Sequence, residues 1–305
     1  MMHRQWGVPI VATLMWLHGA SQPTPDQETF RTSVKVVPIY VSVIDDRGHL
    51  VTDLTQEDFQ ILDNGRTVKI AVFDSHVRRI TGVLLLQALS RQFQREREAA
   101  SAFVHGLASE DRISIGSLGR EVAVSPILTG DKPTLSRILG EEFWPGGGSP
   151  LWRGIDAAMS TLSSEQGRRV IVLVTDDRDN LSAPFPDVVD HLADAIRAQS
   201  DRERRTIEPR LLSGGYVLYT VAMDGVLGAG TYLDDVVDAA GGGRIRLGAH
   251  DETKATMLRV VDELRHQYTV SFVPSVLDGA VHHLEVKVNR KAVKLRFRRA
   301  YTATP

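Results

Sequence analysis

The sequence predicts an α/β protein: a doubly wound, mostly parallel sheet inserted in, or flanked by, a small β-sandwich. Three observations carry this. Residues 79–266 alternate apolar runs of strand length with amphipathic helical patterns. Residues 32–78 are rich in Val and Ile, alternate in polarity and carry hairpin turns. Residues 267–303 return to the same β character. Alternating β and α units give a parallel sheet covered on both faces. An isolated pair of hairpins is marginal, so the two β ends are expected to complete one sandwich together.

The order of elements starts at the N-terminus. "MMHRQWGVPIVATLMWLHGA" has Arg4 near its start, an apolar run over residues 6–17, and then Gly19 and Ala20. This is the pattern of a secretory signal peptide over residues 1–20, and the run is too short to span a bilayer. Residues 21–31, beginning "SQPTPDQ", read as a polar linker. The mature protein is expected to start near Ser21 and to be secreted or periplasmic. No later apolar stretch is long enough for a transmembrane helix.

"VKVVPIYVSVIDDRGHLV" turns at Asp45-Asp46-Arg47-Gly48, and "DFQILDNGRTVKIAVF" turns at Asn64-Gly65, a strong hairpin signal. About four strands are expected here. Further strands are predicted at residues 83–86, 113–115, 170–174 and 217–222. Helices are predicted over residues 95–107, 151–162, 186–198 and 253–265, each with an apolar face such as Ala99, Ala102, Phe103 and Leu107. Pro186 suits a helix start. "DRERRTIEPRLLSGG" reads as a charged, solvated loop, and Gly241, Gly242 and Gly243 as a helix cap. At the C-terminus "YTVSFVP", "HHLEVKV" and "VKLRFRRAY" read as three strands, with Asp278-Gly279 at a turn. In the last of these Val293, Leu295 and Phe297 alternate with Lys294, Arg296 and Arg298, which predicts a solvated charged face.

Composition excludes several function classes. The chain has 305 residues and a net charge of -2, so overall charge gives no reason to expect nucleic acid as a partner. It has no cysteine, which removes disulfides, thiol nucleophiles and thiolate zinc sites. Among its ten histidines, His282 and His283 are adjacent in a strand and face opposite ways. No His-Glu-x-x-His or Gly-x-Ser-x-Gly motif occurs. No enzyme is predicted.

Four stretches, in order, resemble the von Willebrand factor type A proteins abundant in acidobacteria. They are "VSVIDDRGHLVTDLTQEDFQILDNGRTVKIAVF", "GGGSPLWRGIDAAM", "RRVIVLVTDDRDN" and "LRHQYTVSFVPSVLDGAVHHLEVKVNRKAVKLRFRRAYTA". The resemblance implies a Rossmann-like A domain and a role in protein–protein binding or adhesion. It also implies a loop crown at the carboxyl ends of the parallel strands, where such sheets place ligands. In that family an Asp-x-Ser-x-Ser turn, a Thr and an Asp hold a divalent cation through oxygen ligands of the kind Mg²⁺ prefers.

This chain departs from that pattern. Gln87 stands in place of the first Asp, and Leu89 and Arg91 in place of the two serines. Ser149 replaces the Thr and keeps a hydroxyl, Asp176 matches the later Asp, and Asp177 replaces the Gly after it. The first loop loses its anionic oxygen and both hydroxyls. Arg91 brings a permanent positive charge. Two readings of Arg91 stand: it pairs with Asp176 or Asp177 in the cation's place, or it points to solvent with "RQFQRERE". Asp179 and Asn180 suit turn and cap roles. Gly146, Gly147 and Gly148 lack the Lys-Ser/Thr of a phosphate loop.

The expectation is a degenerate adhesion site of Gln87, Leu89, Arg91, Ser149, Asp176 and Asp177. It binds an unknown extracytoplasmic protein, with no cofactor and no tight Mg²⁺ site; Ser149 and Asp176 are the residual metal candidates. A metal-dependent adhesin with unusual ligands, a structural envelope component and a spatially assembled hydrolase are the alternatives.

Overall fold

The computed structural model describes residues 35–87, 93–119, 121–141, 149–175, 190–223, 233–247 and 252–304. The first β segment holds β1 (Val37–Asp45), β2 (Phe59–Asp63), β3 (Arg66–Val68) and β4 (Ile70–Asp74). The last holds β11 (Tyr268–Phe272), β12 (Val281–Val288), β13 (Val293–Arg296) and β14 (Ala300–Thr302). Between them run β5 (Thr81–Leu86), α1 (Phe93–Gly106), β6 (Arg112–Leu118), β7 (Val122–Val124), α2 (Lys132–Glu141), α3 (Leu151–Thr161) and β8 (Arg169–Thr175). There follow α4 (Asp190–Ser213), β9 (Tyr216–Met223), α5 (Asp234–Ala239), β10 (Arg244–Leu247) and α6 (Thr253–Arg265).

The central sheet has the order β10-β9-β8-β5-β6-β7. Its strands are parallel except β7, which runs antiparallel to β6. The unbroken apolar runs are buried on both faces, and the period of two divides them. Leu84, Leu86, Val170, Val172 and Val174 pack with residues of α1, α2 and α6. Val83, Leu85, Ile171 and Leu173 pack with residues of α3, α4 and α5.

Strands from both chain ends share two further sheets, β13-β1-β11-β4 and β14-β12-β2-β3. β1 pairs with both β11 and β13, and β12 pairs with β2. Ile39, Val41, Ile61, Val270, Phe272, Leu284 and Tyr301 form their common core. The predicted Asn64-Gly65 turn adopts positive φ at both residues, 47° and 75°, as a tight primed hairpin requires. His282 is buried and His283 exposed, as strand alternation predicts.

The structure corrects three expectations. "DRERRTIEPRLLSGG" is not a loop: residues 201–213 continue α4. Its buried side chains, Ile207 and Leu211, are four apart, and Arg204–Glu208 (2.7 Å) and Gln199–Glu203 (3.1 Å) link successive turns. Pro209 lies inside the helix. The last basic run is two strands in different sheets, β13 on β1 and β14 on β12. Its charges are not all solvated: Arg296 reaches Glu263 at 2.5 Å, and Arg298 is largely buried. The return arm of the first hairpin is limited to the bridge Ile44 to Leu50, with Asp45 N–H and Val51 N–H donating to His49 O and Val43 O at 2.9 Å; from Val41 to Val37 β1 pairs with β11 instead. Within "RQFQRERE" Glu96 is fully buried in the first turn of α1, while Arg91, for which two readings stand, lies outside the described residues. α2, α5, β7 and β10 were not predicted. Pro186 lies outside the described residues.

Candidate functional site

The crown is built at the carboxyl ends of β5 and β8. β5 delivers Gln87 beside Val174, whose carbonyl accepts its backbone N–H at 3.0 Å. The side chain is wholly buried, and its Oε1 accepts a hydrogen bond from Thr175 Oγ1 at 2.6 Å. Thr175 is the last residue of β8 and is also wholly buried. The first crown position is therefore neutral, and its amide oxygen is already engaged. At this position a neutral amide oxygen stands where the family resemblance places an anionic one.

Ser149 lies just before α3, and its carbonyl accepts Leu151 N at 2.9 Å. Its hydroxyl is buried with no hydrogen-bond partner among the described residues. Below it α3 is held tightly. Trp152 is fully buried, and a Cβ on Gly154 would come within 2.2 Å of Leu118 Cδ2, so any larger residue there would have to displace the Leu118 side chain of β6. Arg153–Glu203 at 3.3 Å and Arg210–Asp156 at 2.6 Å join α3 to α4.

Of the predicted site residues, the structure places Gln87 and Ser149 at this end of the sheet. Leu89, Arg91, Asp176 and Asp177 lie outside the described residues, as do Asp179, Asn180, Gly146, Gly147 and Gly148. Among the described residues no group of three or more His, Asp or Glu gathers as a metal-ligand set. Thr175 is the site residue that sequence reading missed. Its signal was present, as the hydroxyl residue ahead of Asp176 at the end of a buried strand.

The opposite end of the sheet is charged and faces the sandwich. Asp111 is wholly buried and accepts Ile80 N and Ala108 N, each at 2.7 Å, and is bridged by Arg265. Arg168 donates to Leu264 O, to Gln267 Oε1 (2.8 Å) and to Arg79 O (3.2 Å). Gln267 Nε2 donates to Ser42 Oγ and Tyr219 OH, both at 3.2 Å. Tyr219 OH donates to Glu263 Oε1 at 2.8 Å, and Glu263 is bridged by Arg296. Burial lowers the Arg168 pKa to about 10. Burial, with Glu263 close by, holds the Tyr219 hydroxyl well above its ordinary range. One network thus joins β1, β9, α6 and β13 across the seam between the central sheet and the sandwich.

No family model matches the sequence, and no curated protein matches it. Solved structures do. A von Willebrand factor type A protein from Catenulispora acidiphila is similar over 90% of this chain and 76% of that one, at 9% identity and a TM-score of 0.50. The PilB minor pilin from Streptococcus sanguinis is similar over 66% of this chain and 64% of that one, at 11% identity and a TM-score of 0.50. A match to proximal thread matrix protein 1 from the mussel byssus covers 63% of this chain and 49% of that one, at 12% identity. Its TM-score of 0.44 is too low to carry an argument. The fold is of the von Willebrand factor type A class: a mostly parallel central sheet between helices, flanked by antiparallel sheets.

Proposed function

We propose that this chain is a secreted or periplasmic protein-interaction module that binds through its loop crown without a divalent cation and without catalysing a reaction. One observation carries the reading. At the position where the family resemblance expects a carboxylate, the side chain is a buried neutral amide that accepts a hydrogen bond from Thr175. Arg91, two residues beyond the predicted turn's centre, adds positive charge to the same loop. The N-terminal signal pattern supports an extracytoplasmic location, and the four quoted stretches support the acidobacterial branch of the family. The contact surface is the crown around Gln87, Leu89, Arg91, Ser149, Asp176 and Asp177.

The test is a thermal melt of the mature protein in EDTA and then in excess Mg²⁺, Mn²⁺ or Ca²⁺. A ligand that binds only the native state raises the melting temperature. The expected result is the same melting temperature in every condition. A rise that disappears in Asp176→Ala would establish a working cation site and sink the cation-free reading. Capture of extracytoplasmic proteins on the immobilised chain, unchanged by Arg91→Ala, would move the contact surface off the crown.

A further inference from the structure

A second feature lies away from the crown, where the sandwich meets the end of α4. Arg298 is in the stretch between β13 and β14. Its backbone bridges to Ala240, and the next residue's N–H donates to Ala239 O at 3.1 Å. Its Nε donates to Ala300 O at 3.0 Å, and its guanidinium carbon is 5.9 Å from the Tyr301 ring centroid. A Cβ on Gly215 would lie 3.3 Å from one terminal nitrogen, so the head rests against the bend after α4.

Arg298 differs from the other inward arginines. Arg296 has Glu263, Arg265 has Asp111, and Arg168 has three acceptors. Among the described residues no carboxylate pairs with Arg298. Burial lowers its pKa to about 10, and only the Tyr40 and Tyr301 hydroxyls oppose that shift. A desolvated cation with no counter-ion is unfavourable, and an anion would relieve it.

Arg298 also lines a cleft of about 220 Å³. Lys35 brings a second cation to its lining, where Val36, Pro38, Pro274 and Leu277 form an apolar part beside the polar Ser213, Thr302 and Thr304. Val36 and Leu277 are exposed. A guanidinium presents two parallel donors that match a planar carboxylate. A cleft of this size admits a small ligand or the end of a larger one.

We propose that this cleft binds a carboxylate carried on a short apolar group, with the carboxylate on Arg298 and the apolar part against Val36, Pro274 and Leu277. A free small carboxylic acid and the C-terminus of a peptide both present this chemistry.

Calorimetric titration of the whole mature chain tests it with three probes: N-acetyl-leucine, its amide, and the tripeptide Ala-Ala-Leu as the free acid. The acids bind saturably and the amide does not. Arg298→Gln weakens the acids about tenfold or more, the loss of a charge-assisted pair. Because Arg298→Gln alters a buried position, Leu277→Asp on the exposed rim is the second variant. It keeps the fold, as its melt will show, and weakens the acids by placing a like charge beside them. Tighter binding of the tripeptide than of N-acetyl-leucine assigns the cleft to a peptide end; equal binding assigns it to a free acid. Equal binding of acid and amide overturns the proposal. So does the absence of saturable heat with every probe, or unchanged acid affinity in both variants.

Discussion

At the N-terminal end of the central sheet, Asp111, Arg168 and Arg265 are charged and deeply placed, and each is held by named partners. At the C-terminal end, Gln87 and Thr175 are neutral and share one short hydrogen bond, while Ser149 keeps a buried hydroxyl. The sheet is common to both, so the difference lies in what each end must do. Charge in the interior is tolerable only when geometry is fixed and acceptors surround it. The seam comes close to that condition because the sandwich, α6 and the sheet all contribute groups, leaving only the Nε atoms of Arg168 and Arg265 among the named side chains without a partner among the described residues. Gln87 and Thr175 carry no charge and need no such set.

The largest expected effect is at the seam. Arg168→Met removes the donor shared by Leu264 O, Gln267 Oε1 and Arg79 O. Leaving buried acceptors unmade costs about 1–3 kcal/mol for each group, so a loss of about 3 kcal/mol is expected in urea unfolding. A loss under about 1 kcal/mol would mean that the charged seam is no more demanding than the crown, and the contrast would fail.

Next comes the attempt to make the crown resemble the seam. Gln87→Glu puts a carboxylate at a wholly buried position. Burial raises the pKa of such a group, so the folded state holds its proton to higher pH than the unfolded chain does. The variant is thus destabilised above the folded pKa, by about 2 kcal/mol, and recovers as the pH falls toward the unfolded value. Urea midpoints across pH check this. If Mg²⁺ restores the loss at neutral pH, the crown still contains a cation cage and the neutral-base view is wrong.

The legible parts and the missed parts follow the same physics. Strands 83–86 and 170–174 could be read because burial on both faces leaves an unbroken apolar run. The Asn64-Gly65 turn could be read because positive φ selects those residues. Residues 201–213 misled because their helix is mostly charged, with Ile207 and Leu211 as the buried side chains in that stretch. The seam was invisible for a similar reason. Arg296 and Arg298 alternate like any solvent-facing strand, and only the folded chain shows that α5 and α6 cover that face. Gln87 was legible as a departure from a family pattern; its bond to Thr175 was not, since 88 positions separate them.

A smaller effect belongs to the sandwich, which offers a charged site of intermediate depth. His282 Nδ1 is 2.8 Å from Asp63 Oδ1, its Nε2 is 3.3 Å from Asp278 Oδ1, and Tyr301 OH also faces it at 3.3 Å. The hydrogen bond to Asp63 leads in raising its pKa above 6.5. A raised histidine pKa means stability that is complete below the unfolded value of 6.5 and is lost as the pH climbs through the folded one. His282→Gln should flatten that slope, which amounts to about 1 kcal/mol. A wild-type stability that does not fall over the window above 6.5 would show that the imidazolium is not held by its two aspartates.

The smallest expected effect is Ser149→Ala, and it bears most directly on the crown. A buried hydroxyl with no partner among the described residues contributes desolvation without a compensating bond. Removing it should leave stability unchanged or raise it by up to about 1 kcal/mol. Thr175→Val is the control, because it removes a hydroxyl that donates to Gln87 at 2.6 Å and should destabilise by about 1–2 kcal/mol. If the two variants lose equal stability, Ser149 has an acceptor in the crown loops, and its hydroxyl belongs to the resting fold. If Ser149→Ala is neutral for stability but weakens capture of a partner, the hydroxyl is held in reserve for that contact, and the proposed crown surface uses it.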